Sequence, residues 1–391
     1  MSGSFYKTLA EEALICGRCG NCRTDCPVYR ELGWESASPR GKISLAREIF
    51  ARGGQDTIAP EFAERITQCT MCGACTQNCA ARIDIQTFWQ ELRTKLVEAG
   101  AAPAAYTALA QSLRANKNIT GFSNATRLDW AEDMDEVPEN LDREPAAEVA
   151  YFVGCVSSFF PRAAQVPAAV VQLLQKAEVS FTTMGGEEWC CGFPLLAAGA
   201  AAEMKAFALH NVAILQKLGV RTVVTGCPSC YHTWTHVYPA LTGAETGFRV
   251  LHTTQYLLEL IAQGKLAPQP LPETVTYHDP CDLGRNSGVY DAPRQLIGSI
   301  PGLTFVEIPD HGAQSVCCGG GGNLQGADAK LADAIARKRI AAAAQTGADI
   351  VVSACQQCEQ MLEKAARAQK LPLQVMDITE LLWLAVDGER S

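Results

Sequence analysis

The chain carries one cysteine pattern twice. Cys155, the adjacent pair Cys190 and Cys191, and Cys227 with Cys230 form the first copy. Cys281, the pair Cys317 and Cys318, and Cys355 with Cys358 form the second. The spacings are C-x34-CC-x35-CxxC and C-x35-CC-x36-CxxC, so every gap agrees within one residue. Agreement of that kind marks a duplicated structural unit carrying duplicated chemistry.

Scattered core thiols, each packing as a small hydrophobe, would not repeat in this way. A disulfide within either adjacent pair would be strained. Neighbouring Cα atoms are about 3.8 Å apart, below the usual disulfide span of roughly 4.4–6.8 Å. Zinc seats four ligands around one small tetrahedral ion, whereas each copy offers five cysteines, two of them neighbours. In a larger metal–sulfide cluster, neighbouring thiolates bind different irons. Each copy therefore reads as an iron–sulfur site of unusual nuclearity.

The other cysteines lie upstream in two runs, Cys16, Cys19, Cys22, Cys26 and Cys69, Cys72, Cys75, Cys79, each reading C-x2-C-x2-C-x3-C. This is the bacterial two-cluster [4Fe–4S] run, in which the fourth cysteine of each run serves the other cluster. One cubane is accordingly expected on Cys16, Cys19, Cys22 and Cys79, the other on Cys69, Cys72, Cys75 and Cys26; two zinc sites are the competing reading. Ala80 stands after Cys79 where such runs usually have proline. Proline is not a ligand, so only the local turn is affected.

The 18 cysteines all fall in these four sets. So many thiolates suit a reducing, cytoplasmic and anaerobic setting. The formal charge of −9 argues against a nucleic-acid partner. No run approaches the roughly 18 apolar residues of a membrane span, and Met1 to Lys7 lacks the pattern of a secretory leader. Direct membrane insertion is therefore not expected.

The chain of 391 residues suits two or three domains. Ile43, Leu45, Ala46, Ile49 and Phe50 follow a helical period ended by Gly53-Gly54. Phe62 to Ile66 and Ile85 to Val97 are also expected helices. Residues 1–110 thus read as a helical two-cluster module. Pro39-Arg40-Gly41-Lys42 with Arg47 reads as a solvated basic helix face, with a docking role as the alternative. Residues 111–148 read as an exposed acidic linker or strap.

From 149 an α/β rhythm runs twice, over 149–270 and 271–391. Expected strands are Val149–Val153, Val179–Met184, Val220–Thr225 and Phe248–His252, then Thr274–His278, Leu303–Ile308, Ile350–Ser353 and Leu373–Met376, with helices between them. This predicts two small parallel sheets covered by helices, with the cysteines beyond the carboxyl ends of the strands. Gly192 and Gly319 to Gly322 follow the cysteine pairs and would let backbone N–H groups approach sulfur; no Lys-Ser/Thr follows to make a phosphate loop. His232, His236, His278 and His311 lie near cysteines in sequence. Each reads as a hydrogen-bonded structural histidine, with proton donation to a bound sulfur ligand as the alternative.

The paired five-cysteine pattern resembles the CCG domains of heterodisulfide reductase. A two-cubane module ahead of two such domains resembles the D-type component of that enzyme over nearly the whole chain. The resemblance implies an α+β multidomain protein: an N-terminal α-helical two-cluster ferredoxin module, then two repeated α/β CCG domains with small parallel sheets. It implies one noncubane [4Fe–4S] cluster on each five-cysteine set, beside the two cubanes. It implies an oxidoreductase subunit that works with other redox subunits, a flavoprotein among them, and reaches a membrane only through a partner. It also implies a disulfide or thiol substrate. Relay to another subunit, as in a class II benzoyl-CoA reductase-type complex, is a second role. The related iron–sulfur subunits of glycolate and D-lactate oxidases offer an alternative, though those often lose CCG cysteines and this chain keeps all ten. No nucleotide fingerprint is present, so electrons must come from outside the chain. Disulfide chemistry calls for an apolar, solvent-connected cleft between the CCG domains, which a relay would close.

Overall fold

The computed structural model describes residues 9–51, 58–139, 141–243 and 245–388. The expectations for Met1 to Lys7 and Gly53-Gly54 lie outside them.

Eight strands form two sheets. Strands β1 (Val149–Tyr151), β2 (Phe181–Thr182), β3 (Thr222–Thr225) and β4 (Arg249–His252) build the first. Strands β5 (Thr274–His278), β6 (Thr304–Phe305), β7 (Ile350–Ser353) and β8 (Gln374–Asp377) build the second. The orders are β2-β1-β3-β4 and β6-β5-β7-β8, with every pairing parallel. Strands β3 and β7 are buried along their full length, which explains their largely β-branched sequences, Thr-Val-Val-Thr and Ile-Val-Val-Ser. The sheets match the expected eight strands, but β2 and β6 shrink to two residues each. As edge strands they have one pairing partner apiece, and the chain leaves the sheet early to reach the cysteine pairs.

In each sheet the winding reverses between the first and third strands. That reversal opens a crevice at the carboxyl ends, where the cysteines lie. The two domains meet through reciprocal helix contacts. Helix Gln165–Lys176 of the first packs on Ile378–Asp387 of the second, and Thr253–Ala262 packs on Asp291–Gly298. A single apolar cluster runs through both, from Tyr151 and Leu174 to Val352 and Leu382. The duplication is thus paired face to face by a pseudo-two-fold arrangement.

The N-terminal module is helical, as expected. Helix Pro39–Ala51 buries Ile43 and Ala46, and Ile85–Glu98 buries Phe88, Trp89, Leu92 and Leu96 around the same small core. Asp84 caps the latter by accepting from the Thr87 amide.

Two expectations change. Residues 111–148 are not an exposed linker throughout. The acids Asp135 and Glu136 face solvent, but Trp130, Leu141, Asn118 and Arg127 are buried against the first α/β domain, and Asp142 bridges Thr183 beside β2. Apolar residues spaced too irregularly for a helix are masked by the surrounding acids. The basic segment is not a solvated face either. Arg40 pairs with Glu35 at 2.7 Å, while Lys42 is buried and donates to the Gln68 carbonyl oxygen at 2.5 Å.

Candidate metal centres

The helical module gathers its eight cysteines into two crossed sets. Cys16, Cys19, Cys22 and Cys79 line one cavity of about 260 Å³, open to the surface at the exposed Cys19. Cys26, Cys69, Cys72 and Cys75 line another, walled by Met71, Trp89 and Lys42. The crossing is local geometry. Cys26 is the N-cap of helix Pro27–Leu32, its sulfur accepting from the Tyr29 amide at 3.5 Å, and this turns it away from its own run. Further amides reach sulfur from Met71 to Cys69 at 3.3 Å and from Ile83 to Cys79 at 3.4 Å. Burial pushes the Cys22 thiol up to about 11 and the Cys26 thiol up to about 12. A metal would displace those protons.

Each CCG-type crevice collects its five cysteines in the same way. Cys155 opens a short helix after β1, Cys190 and Cys191 precede helix Phe193–Ala198, and Cys227 caps Pro228–His232 after β3. Cys281 follows β5, Cys317 and Cys318 follow β6, and Cys355 caps Gln356–Gln369 after β7. Among the described residues all 18 cysteines are free thiols. In the first copy side-chain contacts run Cys155–Cys190–Cys191–Cys230–Cys227. In the second they run Cys281–Cys317–Cys318–Cys358–Cys355. The second member of each adjacent pair is the hub. Hydrogen bonds from Cys190 and Cys230 lower Cys191 to about 6, and those from Cys317 and Cys358 lower Cys318 to about 5. Cys318 and Cys358 sulfurs stand 3.1 Å apart. Five converging thiols with no disulfide and amides aimed at sulfur are the donor set of an iron–sulfur cluster.

The glycines act as the sequence suggests. Gly192 and Gly319 both have φ of +91° and donate their amides to Cys190 at 3.5 Å and Cys317 at 3.4 Å. Gly321 and Gly322 instead lie against the backbone of Cys69 and Thr70, docking the second CCG-type domain onto the helical module. Across that boundary the side chains of Cys72 and Cys317 are in hydrogen-bonding contact.

Several charged residues at these sites carry no sequence signal beyond their type. Lys42 sits beside Cys69 and Cys26, its pKa lowered by burial. Arg127 and Glu188, each 1% exposed, pair at 2.7 Å; Arg127 reaches Cys155 sulfur at 3.5 Å, and Glu188 accepts the amides of Val153 and Gly154. Arg285 faces Cys72, Cys281 and Cys317. Among the histidines, His278 is buried with a ring nitrogen within 4.8 Å of the Cys318 and Cys358 sulfurs. Its Nδ1 accepts from Arg339 Nε at 3.0 Å, which leaves the neutral ring's proton on Nε2. Burial and Arg339 hold its pKa well below the ordinary value. His232 contacts Ser287 Oγ and stacks on His236, and His311 contacts the Ile308 carbonyl oxygen, so these three are not gathered at a sulfur set. Between the two α/β domains Ser229 donates to Asp282 at 2.5 Å, and Asn286 of the second domain donates to the same carboxylate at 2.7 Å.

Comparison with known proteins agrees with this geometry. A cysteine-rich domain family, CCG, matches residues 149–234 and 275–363, and a 4Fe-4S dicluster domain family matches residues 12–83. The chain is 34% identical over 384 residues to the D-type component of the dihydromethanophenazine:CoB–CoM heterodisulfide reductase of Methanosarcina barkeri, covering 94% of this chain and 92% of that one. It is 31% identical to an EtfAB:quinone oxidoreductase of Syntrophomonas wolfei, covering 95% of this chain and 58% of that one. A solved structure of a hypothetical protein from Helicobacter pylori shares the fold, with a TM-score of 0.61 at 11% identity over 90% of this chain and 68% of that one. Among the described residues no helix is long and apolar enough to cross a membrane. Fold, cysteine sets and relatives together place the chain in the CCG family of heterodisulfide reductase components of the D type, as an iron–sulfur electron-transfer subunit of an oxidoreductase carrying [4Fe–4S] clusters.

Proposed function

We propose that the chain carries four clusters and exchanges electrons with other redox subunits, a flavoprotein among them. Cys16, Cys19, Cys22 and Cys79 would hold one cubane, and Cys26, Cys69, Cys72 and Cys75 the other. One noncubane cluster would sit on Cys155, Cys190, Cys191, Cys227 and Cys230, and the second on Cys281, Cys317, Cys318, Cys355 and Cys358. The observation that carries this reading is the matching contact chain of five cysteine side chains in both copies, centred on the second cysteine of each adjacent pair.

When bound, the clusters would supply one-electron carriers and, at the five-cysteine sites, iron able to take a sulfur ligand. The chain's own groups set the conditions. The converging buried cysteines would fix the ligand sets, and the Gly192 and Gly319 amides donate to sulfur. Lys42 and Arg127 offset anionic charge where water is excluded. His278 keeps its proton on Nε2, and one of its ring nitrogens lies within 4.8 Å of the Cys318 and Cys358 sulfurs. The free thiols suit a reducing cytoplasmic setting, with membrane contact made only through a partner.

Two uses of the five-cysteine sites follow: reduction of a disulfide, or electron relay within a larger complex. Ser229 and Asp282 form a polar contact between the two CCG domains. The relative named as an EtfAB:quinone oxidoreductase supports an electron partner outside the chain. Anaerobically purified protein, analysed for iron and followed by EPR during stepwise oxidation with and without added thiol, decides between them. Four clusters with a thiol-sensitive signal mean a disulfide-reducing site. Four clusters without a thiol response mean relay, and fewer than four overturn the assignment.

A further inference from the structure

The two five-cysteine sites are not electrostatic copies of each other. Four residues after Cys281 stands Arg285; four residues after Cys155 stands Phe159. The Arg285 guanidinium crosses the boundary between the helical module and the second CCG domain. Its Nε donates to the Cys72 carbonyl oxygen at 2.8 Å, and its Nη1 to the carbonyl oxygens of Ala313 at 3.1 Å and Ser315 at 2.5 Å. These bonds lock the plane of the fork. Nη2 is buried and has no partner among the described residues. Its charge acts on Cys72, Cys281, Cys317 and Tyr290, and the Cys72 and Cys317 side chains contact each other. A guanidinium cannot shed its proton, so a buried unpaired N–H of this kind is costly unless an acceptor is supplied.

We propose that Arg285 is a positioning residue for the junction between the Cys26, Cys69, Cys72, Cys75 set and the Cys281, Cys317, Cys318, Cys355, Cys358 set, donating through Nη2 to sulfur there. Its fixed charge favours electrons at both neighbouring sites. The inference rests on the four-cluster reading above. The physical reason is simple. Adding an electron makes a site one unit more negative. A permanent cation anchored on the Cys72 and Ser315 backbone in a water-poor interior favours that state over the oxidised one. Net charge and hydrogen bonds to sulfur are the levers that set such potentials. In the first CCG domain Phe159 offers neither. Arg127, the cation at Cys155, comes from outside the repeat and is already neutralised by Glu188. The second CCG site, which also faces the Asp282 carboxylate, touches the helical module directly through the Cys72–Cys317 contact.

The test is an EPR-monitored redox titration of the anaerobically purified full chain, comparing wild type with Arg285→Gln and Arg285→Lys. Iron analysis of the wild type comes first; fewer than four clusters sinks the four-cluster reading itself. With four clusters loaded, Arg285→Gln is expected to move the midpoints of the Cys72-containing site and the second five-cysteine site to lower potential. The Cys16, Cys19, Cys22, Cys79 site serves as an internal reference that stays in place. Arg285→Lys keeps the charge and is expected to hold both midpoints near wild type. Unshifted midpoints in Arg285→Gln, or an equal shift at all four sites, overturn the role of Arg285 alone. Should Arg285→Gln fail to load iron, Arg285→Lys decides: retained midpoints support the charge effect, and a loaded Lys variant with both midpoints lowered refutes it.

Discussion

Arg93 Nη1 donates to the Gly322 carbonyl oxygen at 2.7 Å, joining the helical module to the second CCG domain across 229 positions of sequence. The same nitrogen donates to the Ala197 carbonyl oxygen of the first CCG domain at 2.6 Å, and Nη2 donates to the Cys69 carbonyl oxygen at 2.9 Å. One buried side chain therefore holds all three modules and the loop bearing the second cysteine run. Tyr106 supports the junction by donating to the same Gly322 oxygen at 3.1 Å.

Replacing Arg93 with Met keeps the volume but strands several buried carbonyl oxygens. A loss of about 3–5 kcal/mol is expected. Denaturant unfolding of the loaded protein is expected to split into separate steps as the modules uncouple. A single wild-type-like transition would show that the junction lies elsewhere.

The hub cysteines predict selective loss. Cys191→Ser is expected to remove only the first five-cysteine cluster and Cys318→Ser only the second, both cubanes remaining. Iron per chain and EPR signals read this directly. Disappearance of a cubane signal in either variant would contradict the ligand sets.

The Arg127–Glu188 pair is fully buried, so breaking it leaves a charge without a partner. Glu188→Gln is expected to destabilise by about 3–5 kcal/mol and to loosen the loop before Cys155, because Glu188 holds the Val153 and Gly154 amides. Arg127→Met combined with Glu188→Gln is expected to recover part of that loss. A double-mutant cycle of unfolding free energies measures the coupling; additive losses would mean the two charges act independently.

Asp377 makes stability pH-dependent. Burial raises its carboxyl from the ordinary value to about 6. The native state therefore holds the proton more tightly than the unfolded chain, and stability is expected to fall as pH rises from about 4 to about 6 and then level off. A shift of about two units corresponds to roughly 3 kcal/mol. Denaturation midpoints across this range check the slope, and Asp377→Asn, which cannot ionise, is expected to flatten it.

Gly321 lies where a Cβ would stand 2.5 Å from the Thr70 carbonyl oxygen. Gly321→Ala is expected to cost about 1–3 kcal/mol by forcing the two modules apart. Gly298 ends helix Asp291–Gly298 with open space around it, and Gly298→Ala is expected to be neutral or stabilising by up to about 1 kcal/mol. Thermal unfolding of the two variants side by side makes the comparison.

Much of this is legible in the chain. Cysteine spacing marks the duplication, and β-branched runs such as Ile350 to Ser353 mark the central strands, because both signals are local and repeated. The edge strands look longer in sequence than they are, because pairing on one side supports only two residues. Trp130 and Leu141 look exposed because their neighbours are acidic, yet burial is decided by which surface lies opposite.

By itself, the sequence determined the four cysteine sets, the two parallel α/β units and the helical module ahead of them. Thiol count, ligand spacing and strand periodicity are properties of neighbouring residues, so they survive without knowledge of packing. Only the tertiary structure decided which charges stand at the cysteines. Lys42, Arg93, Arg127 and Arg285 are ordinary basic residues along the chain. They become a buried cation beside Cys26, a clamp across three modules, a partner of Cys155 and a bridge between Cys72 and Ser315 only when distant segments close around them. Electrostatic environment depends on through-space distance and exclusion of water, and neither is written in the order of residues.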